Sequence, residues 1–358
     1  MPVPRTVLFL GAGASTPFDY PTTAQFKSRL SKELSDDIRD NRLLKEVLTR
    51  NEMNDIEDVL TAFDELASLE SLPSALNFLS TIWPTSTQTK EGNLVPNKHL
   101  VPVVKALREI ARNAVFEYYQ PKPELDEQIQ KLYGLVLERL FRFRIDIPNK
   151  KVSGTAVIVT TNYDPVIERF CPMFLRDGFE GDPSKEKGKW NPEWSFGYTP
   201  FSDNRLHLLK LHGSLNWRKQ RVTGEIARVP LSERVPRHSG EYLDNVLLYP
   251  GSKGSPTEEP FTKLFALLDR LLKETYTLVV VGYRFRDATI NSLVLQFLQD
   301  ERKALYVLSR HAEDDVKVNL NPPSSLLGKR VLTKDADFGL ENQDFLKFIE
   351  DARSRSEG

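Results

Sequence analysis

The chain has a single cysteine, Cys171, among 358 residues, so it can form neither an intrachain disulfide nor a zinc site of four cysteines. Its five histidines, His99, His207, His212, His238 and His311, include no pair at the i, i+4 spacing that sets two ligands on one helical face. No intrinsic metal is expected. Net charge is equally scarce, because 49 Lys and Arg balance 50 Asp and Glu for a formal charge of −1. That balance supplies no general attraction to nucleic acid or to an anionic membrane. The mixed run Lys185-Glu186-Lys187-Gly188-Lys189 reads as a solvated loop rather than a basic patch. No apolar run approaches the about 20 residues that span a bilayer, and the first residues lack the basic and hydrophobic regions of a signal peptide. A cytoplasmic protein is expected. What is present, 40% hydrophobic and 28% charged residues, suits an ordinary globular protein of two domains or of one large α/β domain with an insertion.

The stretch Val7-Leu8-Phe9-Leu10-Gly11-Ala12-Gly13-Ala14-Ser15-Thr16 is an apolar run that ends in two glycines one residue apart, followed by two hydroxyls. It reads as a buried strand feeding a turn in which a backbone free of Cβ atoms can bring its N–H groups against an anion. A full dinucleotide fingerprint would place a third glycine at Thr16, so a tight connection without a ligand is the competing reading.

After the turn, Pro21-Thr22-Thr23 starts a helix with Phe26, Leu30 and Leu34 on one stripe, and residues 38 to 144 read as helical. The stripes there are Ile56 to Leu66, then Leu100 to Val115, then Leu125 to Leu140, with loops near Trp83-Pro84 and Lys90-Glu91-Gly92-Asn93. Asp55, Glu57 and Asp58 read as first-turn acids favoured by the helix dipole.

Strand patterns return at Ala156–Thr161, Leu206–Leu211, Thr277–Val281 and Ala304–Ser309, with a short one at Asn245–Tyr249. Three of them end in polar residues: Asn162-Tyr163-Asp164-Pro165, His212-Gly213-Ser214-Leu215-Asn216, and Gly282-Tyr283-Arg284-Phe285-Arg286-Asp287. In open α/β sheets ligands sit beyond the carboxyl ends of strands, although Asn and Asp also serve turns and a lone histidine often serves as a structural hydrogen-bonding residue. Residues 177–203 and 218–244 lack periodicity and read as surface insertions, and a helix is expected from about Glu258 to Glu274. The expected fold class is α/β, a Rossmann-like parallel sheet with a large helical insertion over 31–149. The core is assigned to 1–30, 150–220 and 245–345.

In their order, Gly11-Ala12-Gly13-Ala14-Ser15, Thr161-Asn162-Tyr163-Asp164, Leu211-His212-Gly213-Ser214 and Gly282-Tyr283-Arg284 resemble the motifs of the sirtuin superfamily, in its bacterial SIR2-like branch. The resemblance implies a sirtuin-like sheet that binds NAD as substrate. It implies that Gly11, Ala12, Gly13, Ser15 and Thr16 cradle the pyrophosphate, that Asn162, beside Thr161, lies near the nicotinamide ribose, and that Asp164 meets the carboxamide. By the same match His212 acts as base, Gly282, Tyr283 and Arg284 approach the adenosine side, and Ser309 lies near the adenine ribose.

The zinc-binding cysteines of the deacetylases are absent after His212, and Thr161 stands where they carry Gln. The activity implied is therefore NAD hydrolysis to nicotinamide and ADP-ribose, or cyclic ADP-ribose, rather than deacetylation. Proteins of this branch resemble NAD-depleting effectors of antiphage defence, which implies a homo-oligomer or a partner such as a HerA-type ATPase. A non-catalytic NAD or ADP-ribose sensor or scaffold and a protein ADP-ribosyltransferase are the alternative readings.

Overall fold

The computed structural model describes residues 5–22, 25–26, 28, 86–88, 94–96, 113–146, 149–182, 187–197, 201–231, 242–248, 258–340 and 342–357. The chain divides into two compact units, one of residues 1–20, 119–248 and 254–358, the other of 21–118 and 249–253. The stripes expected over 56–66 and 100–111, the first-turn acids Asp55, Glu57 and Asp58, and the Leu30 and Leu34 positions lie outside the described residues.

The first unit is built on a seven-stranded sheet. Its strands are β1 (Thr6–Leu10), β2 (Ala156–Thr160), β3 (Leu175–Arg176), β5 (Leu206–Lys210), β9 (Thr277–Val281), β10 (Ala304–Ser309) and β11 (Val331–Asp335). They lie in the order β11-β10-β9-β1-β2-β5-β3 with every pairing parallel. All residues of β1, β2, β5, β9 and β10 are buried, as expected of strands covered on both faces.

One face, with Val7, Phe9, Val157, Val159, Leu278, Val280, Leu305 and Val307, shares a core with α3 (Phe261–Glu274) and α4 (Ala288–Phe297). α3 contributes Leu264, Phe265, Leu268, Leu271 and Leu272, each of which gains about 1.5–3 kcal/mol from burial. On the other side, α1 (Asp126–Phe141) buries Ile129, Leu132, Val136 and Leu140 and joins α5 (Gln343–Glu357) through Arg139–Glu350 at 2.6 Å. α2 (Val166–Phe170), which follows β2, is tied to α1 by the two-pronged Arg169–Asp126 pair at 2.5 and 2.7 Å. The Rossmann-like parallel sheet read from the apolar runs is the observed architecture.

The described residues in and next to 177–203 and 218–244 add secondary structure to the expected surface insertions. They supply β4 (Gly188–Lys189), β7 (Ile226–Arg228) and β8 (Tyr242–Leu247), which join β6 (Gly213–Gln220) in an antiparallel sheet ordered β8-β6-β7-β4. Phe179, Trp190 and Trp217 meet with ring centroids 5.0 to 6.2 Å apart. Buried Arg228 joins Asp177 at 2.6 and 2.7 Å and donates to the carbonyls of Glu180 and Gly181. That ion pair holds one insertion onto the other. In the second unit, Thr22 and Gln25 exchange hydrogen bonds, with Thr22 N donating to Gln25 Oε1 at 2.9 Å and Gln25 N to Thr22 Oγ1 at 3.3 Å. This is a capping box at the start of the helix expected there.

Candidate functional site

Register brings the strand-end motifs into one row. Leu10 pairs with Thr160 and Val281, Thr160 with Lys210, and Val281 with Leu308. His212, Asn162, the Gly11 turn, Gly282 and Ser309 therefore succeed one another along the carboxyl edge of β5, β2, β1, β9 and β10, at the about 4.8 Å spacing of neighbouring strands. The chain leaves β1 toward β2 on one side and returns to add β9 on the other, so the turn after β1 stands at the switch point where such sheets open a crevice.

The turn after β1 leads into a 3-10 helix, Ala12–Phe18. Gly13 N donates to Gly282 O at 2.9 Å, and a Cβ on Gly11 would lie 2.6 Å from that same oxygen. Gly282 has φ +64°, and a Cβ there would lie 2.4 Å from Ala14 N and 2.6 Å from Gly13 Cα. The glycines thus serve a backbone crossing between the turns after β1 and β9, whatever else the turn holds. Thr16 Oγ1 donates back to Gly13 O at 2.9 Å, and Thr161 N to Leu10 O at 3.3 Å.

Asn162 is buried, and its Nδ2 donates to Gly11 O and to Ser15 Oγ, both at 3.0 Å. Ser15 faces the Asp164 carboxylate, which accepts from Val166 N at 3.2 Å. Burial pushes the Asp164 carboxyl above its ordinary value, against the opposing pull of Lys210 and these donors. Its Oδ2 has no hydrogen-bond partner among the described residues. Lys210 is itself buried and donates to Asp164 O at 2.5 Å and to Glu168 Oε1 at 2.9 Å, with Ser214 Oγ donating to the same Oε1 at 2.8 Å. The loop that carries Asn162 and Asp164 is pinned from below by a charge cluster of two carboxylates and one ammonium.

His212 is 1% exposed, its carbonyl accepts from Leu248 N at 2.9 Å, and its Nε2 lies 3.2 Å from Asp287 Oδ2. Gly213 follows with φ +87°, where a Cβ would stand 2.2 Å from Val246 O, so only glycine lets β6 start directly beside the histidine. Asp287 caps α4, its Oδ1 accepting from Thr289 N at 2.8 Å and Ile290 N at 3.0 Å.

The segment that delivers Asp287 is strained: Phe285 is buried with φ +53°, a backbone region that costs a side-chain-bearing residue roughly 1–2 kcal/mol. It is held by Asn291 Nδ2 donating to Phe285 O at 2.7 Å, by Asn319 Nδ2 donating to Arg284 O at 2.7 Å, and by ring packing on Tyr283 at 5.2 Å. Tyr283 also packs on Phe9 at 4.9 Å and belongs to the apolar core. Arg284 Nε lies 3.4 Å from Asp315 Oδ1, and Ser309 Oγ donates to Asp315 Oδ2 at 3.3 Å. Burial raises the Asp315 carboxyl, with Arg284 opposing.

Sequence reasoning missed Asp287, Asp315, Lys210 and Glu168. Asp287 carried a local signal, an Asp directly before the helical stripe of Ile290 and Val294, but that signal points to a cap and not to a histidine 75 residues earlier.

Residues 156–322 match the family model of the SIR2-like domain. The matched segment holds Asn162, Asp164, His212, Gly282, Asp287 and Ser309, and the Gly11 turn lies outside it. No curated protein matches the chain. Among solved structures, the chain is similar to a SIR2 homologue in complex with NAD, at 14% identity over 98% of this chain and 90% of that one, TM-score 0.44. It is also similar to a mutant Sir2 homologue in complex with ADP-ribose, at 15% identity over 98% and 93%, TM-score 0.42. A Sir2 protein bound to a propionylated peptide follows at 11% identity over 99% and 94%, TM-score 0.39. Among the described residues no helix is long and apolar enough to cross a membrane, and no group of three or more His, Cys, Asp or Glu could hold a metal ion.

Proposed function

We propose that this chain hydrolyses NAD at the bond between ribose and nicotinamide. The observation that carries the reading is the adjacency of Asn162 and His212 at the ends of neighbouring strands, with the Asn162 amide bonded into the Gly11 turn. The SIR2-like match over 156–322 supports it.

Breakage of the glycosidic bond sends the electron pair to nicotinamide and develops positive charge on the ribose. The Asn162 donors are spent on the turn, and its Oδ1 is the acceptor left to support that charge or to hold a ribose hydroxyl. Water adds to the ribose carbon and gives its proton to His212, which yields ADP-ribose; attack by an adenine nitrogen instead gives the cyclic product. The turn after β1 stands at the crevice where the pyrophosphate would lie, its Gly13 N–H already given to Gly282 O, and Asp164, whose Oδ2 has no partner among the described residues, would supply an acceptor for the carboxamide N–H. Arg284, Asp315 and Ser309 stand toward the adenosine half. A defence role, acting as a NAD-depleting effector held in check by a homo-oligomer or a HerA-type partner in the cytoplasm, belongs to the same reading.

The test is nicotinamide release from NAD by the purified protein, alone and mixed with candidate partners, against Asn162→Ala and His212→Ala. Loss of the base is expected to cost on the order of 10²- to 10⁴-fold in kcat. NAD binding without release above these variants under any condition would leave a sensor or scaffold, and adenylate label retained on protein would mark an ADP-ribosyltransferase.

A further inference from the structure

We propose that Asp287 is the positioning residue of the site: it fixes the His212 imidazole with the proton on Nε2, so that Nδ1 is the atom that accepts the proton in the reaction. The inference deepens the proposed function and rests on it for the role of His212.

The geometry leaves Asp287 little freedom. Its Oδ1 accepts from the first-turn N–H groups of both Thr289 and Ile290, and this two-donor cap directs Oδ2 to His212 Nε2 at 3.2 Å. A carboxylate so held accepts and cannot donate, so the imidazole nitrogen facing it must carry the hydrogen. Burial pushes the Asp287 carboxyl up, but the His212 hydrogen bond and the helix N–H groups outweigh it and hold the group below its ordinary value.

The other ring nitrogen, Nδ1, is buried and has no hydrogen-bond partner among the described residues. With Nε2 protonated, Nδ1 bears the lone pair, which is the one feature a base needs. The main chain of His212 is fixed by Leu248 N and by the Gly213 turn, and the Gly282–Asp287 segment is fixed by Asn291 and Asn319, so both partners approach on rigid supports. When Nδ1 takes the proton of the attacking water, the imidazolium formed faces the carboxylate that offsets its charge. Asp287 itself takes up no proton and touches no substrate.

Asp287→Asn tests this in the full chain. Asn caps a helix as well as Asp, so α4 keeps its acceptor and the melting temperature serves as the check on folding. Its NH₂ then faces Nε2 and moves the imidazole hydrogen to Nδ1. In ¹⁵N-histidine spectra, with the His212 signal assigned by its loss in His212→Gln, the wild type is expected to show protonated Nε2 and bare Nδ1, and Asp287→Asn the reverse. Nicotinamide release is expected to fall on the order of 10²- to 10⁴-fold in kcat with KM for NAD nearly unchanged. A wild-type His212 protonated on Nδ1, or an Asp287→Asn protein equal to wild type in tautomer and kcat, overturns the proposal. A wild type that shows the expected tautomer and its reversal but releases no nicotinamide overturns the NAD-cleaving reading instead and leaves the orienting role of Asp287 supported.

Discussion

Gly282→Ala should be among the most damaging single-methyl changes in the molecule. The new Cβ would stand 2.4 Å from Ala14 N, 2.5 Å from Gly13 C and 2.6 Å from Gly13 Cα, all of them backbone atoms that no rotamer change can move. The residue also sits at φ +64°, where an L side chain costs roughly 1–2 kcal/mol. Separating the two turns to relieve the overlap adds the about 1–3 kcal/mol of an overpacked core, for a total of about 2–5 kcal/mol. Gly328→Ala isolates the first contribution, because Gly328 has φ +71° with nothing within 4 Å of the added Cβ; about 1–2 kcal/mol is expected there. Gly134→Ala, inside α1 with equally open space, should stabilise by about 0.5–1 kcal/mol. The assay is urea unfolding followed by the fluorescence of Trp190 and Trp217, which lie with this face of the sheet in one core. If Gly282→Ala unfolds at no lower urea than Gly328→Ala, the turns after β1 and β9 do not meet as described, and the explanation of Gly11 and Gly13 falls with them.

Lys210→Met leaves Glu168 buried without its cation and should cost about 3–5 kcal/mol, whereas Lys210→Met combined with Glu168→Leu should cost less; thermal melting of the two variants decides. Burial pushes the His207 imidazole below its ordinary value although Asp203 Oδ1 stands 2.7 Å from its Nε2. The folded state therefore favours neutral His207, and its contribution is full above the unfolded value near 6.5 and lost as pH falls toward the depressed folded value. Melting temperature should drop between pH 7 and 5, and His207→Phe, whose ring suits the neighbouring Phe196 and Phe201, should flatten that slope.

The parallel sheet was legible because strands covered on both faces must be continuously apolar, as Val7–Leu10, Ala156–Val159, Leu278–Val281 and Ala304–Leu308 are. The antiparallel sheet was not, since β6 and β7 carry Arg218, Lys219 and Arg228 among their apolar residues. What buries Arg228 is a carboxylate on Asp177, 51 positions away, and no local period announces a long-range ion pair. The strand-end positions of Asn162, His212 and Gly282 followed from the same apolar runs. The glycines did not disclose their closest neighbours, because the contact joins Gly13 to Gly282 across most of the chain. Asp287 was hidden for a related reason: its helix-capping role accounts for its identity so fully that a second partner leaves no trace in local sequence.

The order of strands around β1 has a bearing on synthesis. His212 leaves the ribosome 75 residues ahead of Asp287, and β1 lacks its β9 flank until residue 281 has followed. Until then the turn after β1 has no Gly282 to close against and the histidine has no carboxylate to orient it. On the proposed reading, a chain interrupted before Asp287 is inert toward NAD. On that reading the order of synthesis delays NAD cleavage until Asp287 has followed His212 out of the ribosome.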